Sequence, residues 1–164
     1  MESYKKKTTY DKILEVVAIA ALVWAFYPPI FNSIDSDAII PVHFNLAGEV
    51  DGWGDSSVLW IMPPIALLLY IGLSIAQKHP KICNYPCRIT EQNADYLYKM
   101  GVQLIRHIKV SVVLMFAFVS NDIYAVAIGK SSSPNLFIIG IFTGIITLLP
   151  IIIYIRKMCR YKPE

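Results

Sequence analysis

Four stretches of this chain, 13–31, 58–76, 110–128 and 136–155, consist almost wholly of apolar residues. Each has roughly the 18 or more residues that an α-helix needs to cross ~30 Å of hydrocarbon at ~1.5 Å per residue. A core helix of a soluble domain would interrupt such a run with polar residues at a period near 3.6. The pattern predicts an all-α membrane protein, a four-transmembrane-helix bundle in a single polytopic domain over residues 1–164. The bulk composition agrees: 55% of the residues are apolar and 16% charged, which is rich for a soluble domain. The lipid bilayer is therefore the first expected partner.

The net charge of +3 would suit nucleic acid if the basic residues formed one patch with interleaved aromatics. They flank the apolar runs instead, so no nucleic-acid partner is expected. Lys5, Lys6, Lys7 and Lys12 precede the first run. Lys78, Lys81, Arg88, Lys99, Arg106 and Lys109 fall between the second and third, and Arg156, Lys157, Arg160 and Lys162 follow the fourth. Loop 32–57 holds Asp35, Asp37, Glu49, Asp51 and Asp55 and neither Lys nor Arg. Basic loops stay in the cytoplasm, so both termini are expected there and loop 32–57 outside, with Lys130 as the exception. A secretory signal is the rival reading of 13–31. Its best cleavage passage, Ser36-Asp37-Ala38, lies past Pro28-Pro29 and far beyond the run, which favours an uncleaved span. Cys83, Cys87 and Cys159 fall on the cytoplasmic side, where thiols stay reduced.

Inside the first span Glu15 is expected to reach back to the interface, while Trp24, Phe26 and Tyr27 suit the aromatic belt. Pro63-Pro64 predicts a bend or loosened turn in the second span, and Pro150 a kink in the fourth. Gly140 and Gly144 are spaced for close helix packing. Thr90 reads as an N-cap with Glu91 in the first turn. Behind it Ala94, Leu97, Gly101, Leu104, Ile105 and Ile108 oppose Gln92, Asp95, Lys99, Gln103 and Arg106. This is an amphipathic cytoplasmic helix over 90–109, leading without a breaker into the third span. Arg106, His107 and Lys109 read as a snorkelling basic cluster facing anionic lipid, because no buried partner carboxylate is evident in the spans. Ser74, Ser111, Ser120, Thr143 and Thr147 are suited to back-bonding onto helix carbonyls.

The chemistry-bearing residues gather in loop 32–57. Residues 39–45 read as a short extended or β-like segment, and 46–54 as sharply turned, with Gly48 and Gly54 shaping it. In an extended segment His43 and Asn45 share one face, and reversal near Gly48 brings Glu49 or Asp51 toward it. Such a set suits a divalent metal, with His43 and Asp51 as the candidates, or a carboxylate orienting an imidazole. Local hydrogen bonding within the turn is the commoner use of these residue types. His79, Cys83 and Cys87 are spaced four apart, but Pro80 and Pro86 break the helix that would align them and no fourth zinc ligand is evident. No catalytic residue is assigned: the chain has no Gly-x-Ser-x-Gly, no His-Glu-x-x-His and no phosphate-cradling glycine loop. The scarcity of ionisable residues within the spans argues against a pump.

The run Ile40-Pro41-x-His43-Phe44-Asn45-x-x-Gly48-x-x-Asp51-x-Trp53-Gly54 resembles the motif of a small bacterial membrane domain of unknown function. That domain also forms the N-terminal part of SdpI-like proteins, which confer immunity to a secreted peptide toxin. Pro63 early in the second span and the second motif Ile89-Thr90-Glu91-x-Asn93-Ala94 extend the similarity over about residues 13–126. The resemblance implies the bacterial cytoplasmic membrane and a multi-helix architecture. SdpI-like proteins continue into a second multi-helix domain, whereas this sequence has one further span. Together these features predict a non-enzymatic membrane protein whose outer loop recognises a peptide toxin, a partner membrane protein or a metal ion. The alternative, suggested by Pro63, Pro64, Pro150 and the small-residue face of the fourth span, is a small transport component or a membrane-embedded metal-dependent enzyme subunit.

Overall fold

A computed structural model describes residues 6–31, 34–35 and 38–161, with backbone alone at 136–137 and 142–143. Lys5, Ser36, Asp37, Lys162 and the Thr143 side chain, named above, lie outside the described residues. The elements run α1 (Thr9–Phe31), β1 (Ile39–Phe44), β2 (Val50–Asp55), a 3-10 stretch (Ser56–Trp60), α2 (Met62–Ala76), a short 3-10 turn (Pro80–Ile82), α3 (Ala94–Ala127), α4 (Leu136–Ile141), a π-helical passage (Phe142–Thr147) and α5 (Leu148–Arg160). Thr9–Phe31, Ser56–Ala76, Ala94–Ala127 and Ile138–Arg160 are each long and apolar enough to cross a membrane. The chain is a helical, multi-pass membrane protein with, among the described residues, one two-stranded sheet.

Helix α1 starts on a reciprocal cap. Thr8 Oγ1 accepts the Asp11 amide at 3.2 Å, and Asp11 Oδ2 accepts the Thr8 amide at 2.8 Å, which together satisfy two of the amides a helix start leaves open. Helix α3 is central and packs on α1, α2 and α5. Its contact with α1 is built from small residues, Ala21 and Ala25 against Val113 and Ala117, with Leu22, Tyr70 and Leu114 around them. Small side chains let two backbones approach closely where lipid supplies no hydrophobic drive.

That closeness answers a problem created by the prolines. Pro28 and Pro29 lie inside α1 and lack the amides that the carbonyls four residues earlier, Trp24 and Ala25, would accept. Helix α3 supplies both: Asn121 Nδ2 donates to Trp24 O at 3.0 Å and Ser120 Oγ to Ala25 O at 3.0 Å. Pro150 leaves Ile146 O short in the same way, and Ser111 Oγ lies 2.9 Å from it and 2.9 Å from His107 O of its own helix. In hydrocarbon no water can do this work, so a neighbouring helix must. Thus Ser111 back-bonds as expected but also reaches across, and Ser120 reaches across to α1.

Two local expectations are corrected and a third takes definite form. Pro63 and Pro64 do not bend a span from within; they occupy the first turn of α2, where a missing amide costs nothing, and the irregularity is the change from 3-10 to α geometry at Ile61. The disturbance expected at Pro150 is the π-helical passage ahead of it. Thr90 is not the N-cap of the third helix. Asn93 stands there, folding back so that its Oδ1 accepts the Thr90 amide at 2.7 Å and its Nδ2 donates to Arg88 O at 3.0 Å. From Ala94 the helix runs unbroken for 34 residues, about 51 Å at ~1.5 Å per residue. A methyl added at Gly140 or Gly144 would meet nothing within 4 Å among the described residues, so no close helix packing at either is seen among them.

The sheet caps one end of the bundle. Ile40 of β1 is 2% exposed and packs with Leu59 and Ile123, flanked by Ile34, Val42, Val119, Tyr124 and Ala127. The hairpin is thus seated on the C-terminal end of α3.

Candidate functional site

Strands β1 and β2 pair antiparallel, with Ile39 opposite Asp55, Ile40 opposite Gly54, Pro41 opposite Trp53, His43 opposite Gly52 and Phe44 opposite Val50. The register slips around His43, which the sequence places just after Pro41, a residue with no amide for the ladder. Asn45 organises the turn. Its Oδ1 accepts the amides of Ala47 and Glu49, both at 2.9 Å, and its Nδ2 donates to Glu49 Oε2 at 2.9 Å. Gly48 takes φ 83°, a conformation other residues adopt only at a cost.

Across the strands His43 Nδ1 meets Asp51 Oδ1 at 2.5 Å. An ionised carboxylate only accepts, so Nδ1 carries a proton, and in the neutral imidazole Nε2 is then left as an acceptor. The pair depends on Gly52. A methyl there would lie 2.8 Å from His43 Cβ, too close to coexist with the present strand separation. Gly54 sits in β2 and not in the turn; it gives room to Val42, whose methyls would be 3.0 and 3.2 Å from an added Cβ. At the hairpin's exit, Asp55 Oδ1 accepts the Ser57 amide at 2.7 Å and caps the 3-10 stretch. That hydrogen bond holds the Asp55 carboxyl below the usual carboxylate value.

The structure therefore brings together His43 with Asp51 and Asn45 with Glu49, as two adjacent pairs. Among the described residues no three His, Cys, Asp or Glu side chains converge as a metal cluster. With Nδ1 engaged by Asp51, a cation at His43 would be taken through Nε2, the arrangement in which a carboxylate fixes a histidine ligand. His43 and Asp51 remain 73% and 44% exposed, and Leu46 and Trp53 of the same hairpin are exposed as well. The second motif is elsewhere: Thr90, Glu91 and Asn93 form the turn that starts α3, at the end of that helix remote from the hairpin.

A polar layer that the sequence did not announce lies between α1, α2 and α3. Arg106 Nη1 reaches Asp11 Oδ1 at 2.6 Å, with both side chains below one-tenth exposed. Lys109, 1% exposed, donates to both Glu15 oxygens at 3.0 Å and to Ser74 Oγ at 3.1 Å, beneath the Tyr70 ring. Tyr70 donates to Glu15 Oε1 at 2.6 Å. Arg106 and Lys109 accordingly turn into the bundle and not outward to lipid, and Glu15 is held there by Lys109, because each finds an opposite charge. Beside the layer His107 Nδ1 donates to Gln103 O at 2.7 Å, so its Nε2 accepts from the Tyr10 hydroxyl at 2.8 Å. The available signal was that Asp11 and Glu15 lie about one turn apart on one helix and Arg106 and Lys109 about one turn apart on another.

Among known families, the model described as a domain of unknown function (DUF1648) matches residues 35–67. That segment is the hairpin, the 3-10 stretch and the opening of α2. No curated protein and no solved structure matches the chain.

Proposed function

We propose that this is a multi-pass protein of the bacterial cytoplasmic membrane whose hairpin faces outward as a non-enzymatic recognition element. Its termini lie in the cytoplasm, and its partner is a peptide, another membrane protein or a metal ion, in toxin immunity or envelope-stress protection. One observation carries the reading: His43 and Asp51 are fixed against each other yet left exposed. An exposed pair adds only about 0–1 kcal/mol to the fold, so stability alone gives little reason for it. The acidic loop supports the outward orientation by the same positive-inside argument, and the motif's likeness to SdpI-like proteins supports the immunity role.

The test uses full-length protein purified without chelator, comparing wild type with His43→Ala and Asp51→Ala. Stoichiometric metal lost in both variants assigns the hairpin to a cation. Absence of metal, with toxin protection or partner capture lost in both properly inserted variants, assigns it to a peptide or protein. Unchanged protection, capture and metal content in both would refute the proposal.

A second reading, a small transport component, is favoured by the polar layer, since ionisable groups inside a bundle commonly mark a pathway. Under that reading Glu15→Gln abolishes flux into vesicles while leaving hairpin binding intact. A metal at His43 with an open coordination position would raise the enzyme-subunit version.

A further inference from the structure

The hairpin has one covered strand and one open one. Strand β1 lies against α3 and the 3-10 stretch, whereas β2 is held chiefly by β1. The Ser56 amide donates to Ala38 O at 3.0 Å, so hydrogen-bonded pairs fall at Ala38–Ser56 and, two residues on, at Ile40–Gly54. The pairs between and beyond, Ile39–Asp55 and Pro41–Trp53, therefore turn their backbone groups away from each other. On β1 the outward edge is blunted, because Pro41 has no amide. On β2 the amides and carbonyls of Trp53 and Asp55 face outward, and among the described residues no backbone group outside the hairpin meets them. Asp51, Trp53 and Asp55 alternate along β2 as its exposed residues, so they share one face of the sheet. A carboxylate, an indole and a second carboxylate thus stand in a row beside the open edge.

We infer that this edge takes an extended basic peptide as a third strand, an inference that rests on the reading of the hairpin as a recognition element. Trp53 and Asp55 supply the main-chain hydrogen bonds, as in other cases of strand addition. Side chains at every second position of the added strand come beside Asp51, Trp53 and Asp55. Lys or Arg at those positions meets a carboxylate or lies over the Trp53 ring. Segment 32–57 holds five carboxylates and neither Lys nor Arg, so the local charge favours such a peptide. The same charges act against the commonest competitor for an open edge, a second copy of it. Two β2 strands paired antiparallel about Trp53 would set Asp51 of each opposite Asp55 of the other, and like charges directly opposite are destabilising. The edge is closed to itself and open to a strand of opposite sign.

The experiment places full-length protein in nanodiscs of zwitterionic lipid, which does not itself attract the probe, and titrates in a short peptide alternating lysine and threonine. Two companions are used: the same peptide N-methylated along both edges, which keeps the charge but loses the main-chain donors, and one with glutamate for lysine. Binding of the unmodified lysine peptide alone is expected, with exchange of the Trp53 and Asp55 amides slowed as it binds. Asp51→Asn together with Asp55→Asn, in which asparagine can still cap the 3-10 stretch, should weaken binding roughly tenfold. Equal affinity for either companion, or binding that leaves both amides unprotected, would overturn the inference. So would no binding of the lysine peptide up to about 1 mM. In that event, loss of metal or of toxin protection in His43→Ala would leave the recognition reading standing, and no such loss would remove both.

Discussion

Lys109 keeps a charge at 1% exposure because two carboxylate oxygens and a hydroxyl take its three protons and an aromatic ring covers it. Removing one member of such a set strands the other. Lys109→Met is expected to destabilise the protein by about 3–5 kcal/mol, whereas Lys109→Met with Glu15→Met should be clearly milder; unfolding in mixed micelles compares the two. Gly52→Ala tests the hairpin at the same scale. The added methyl collides with His43 Cβ, so a loss of about 1–3 kcal/mol is expected, together with loss of the His43–Asp51 hydrogen bond in the imidazole NMR signals. Asp55 has a signed pH dependence. Its folded pKa is depressed, so the cap contributes fully above the ordinary carboxylate value of 3.8 and is lost as pH falls through the lower folded value. The protection of the Ser57 amide relative to its intrinsic exchange rate should fall over that range in wild type and stay constant in Asp55→Asn. At this scale the sequence disclosed types but not partners. His43, Asn45, Glu49 and Asp51 were legible because their pairs lie 8 and 4 residues apart and a turn does the rest. Glu15 was visible, but nothing local says that a lysine 94 residues later will lie beside it.

Among the elements, α3 completes its neighbours. Each carbonyl freed by Pro28, Pro29 or Pro150 is met by Asn121, Ser120 or Ser111. Asn121→Ala should cost about 1 kcal/mol, near the middle of the range for side-chain hydrogen bonds between membrane helices. In a Pro28→Ala background Trp24 O recovers an amide within its own helix, so the same change should cost less. A double-mutant cycle reads the difference as a coupling of about 0.5 kcal/mol or more; zero coupling would sever the link between that proline and Asn121. The four spans were legible from apolar length alone. The start of α3 was not, because Thr90 and Asn93 are both good capping residues and only the backbone turn shows which one the helix follows. Within the amphipathic pattern over 90–109 the polar face assigned to Arg106 misled for a related reason: Arg106 looks solvent-seeking until its buried carboxylate is seen.

For the whole molecule, two polar regions sit at opposite ends of one bundle, the charged layer beside the start of α1 and the hairpin on the end of α3. The orientation proposed from the basic residues makes a direct prediction. In intact cells an impermeant thiol reagent should label Leu46→Cys, at the fully exposed tip of the turn, in a background lacking the native cysteines. Native Cys159 should react only after permeabilisation. Reversed labelling would invert the topology and with it the face on which the hairpin meets a partner.

The dependence of α1 on α3 also bears on how the protein is made. A ribosome delivers Trp24 and Ala25 to the membrane long before their partners, since Asn121 follows Trp24 by 97 residues and Ser120 follows Ala25 by 95. Throughout that interval the first helix carries two open carbonyls and two carboxylates whose cations on α3 have yet to be made. Its entry is therefore provisional, to be held by the insertion machinery or by water at the interface until the third helix emerges. The same residues that stabilise the finished bundle thus set the moment in synthesis at which its first helix can be released into lipid.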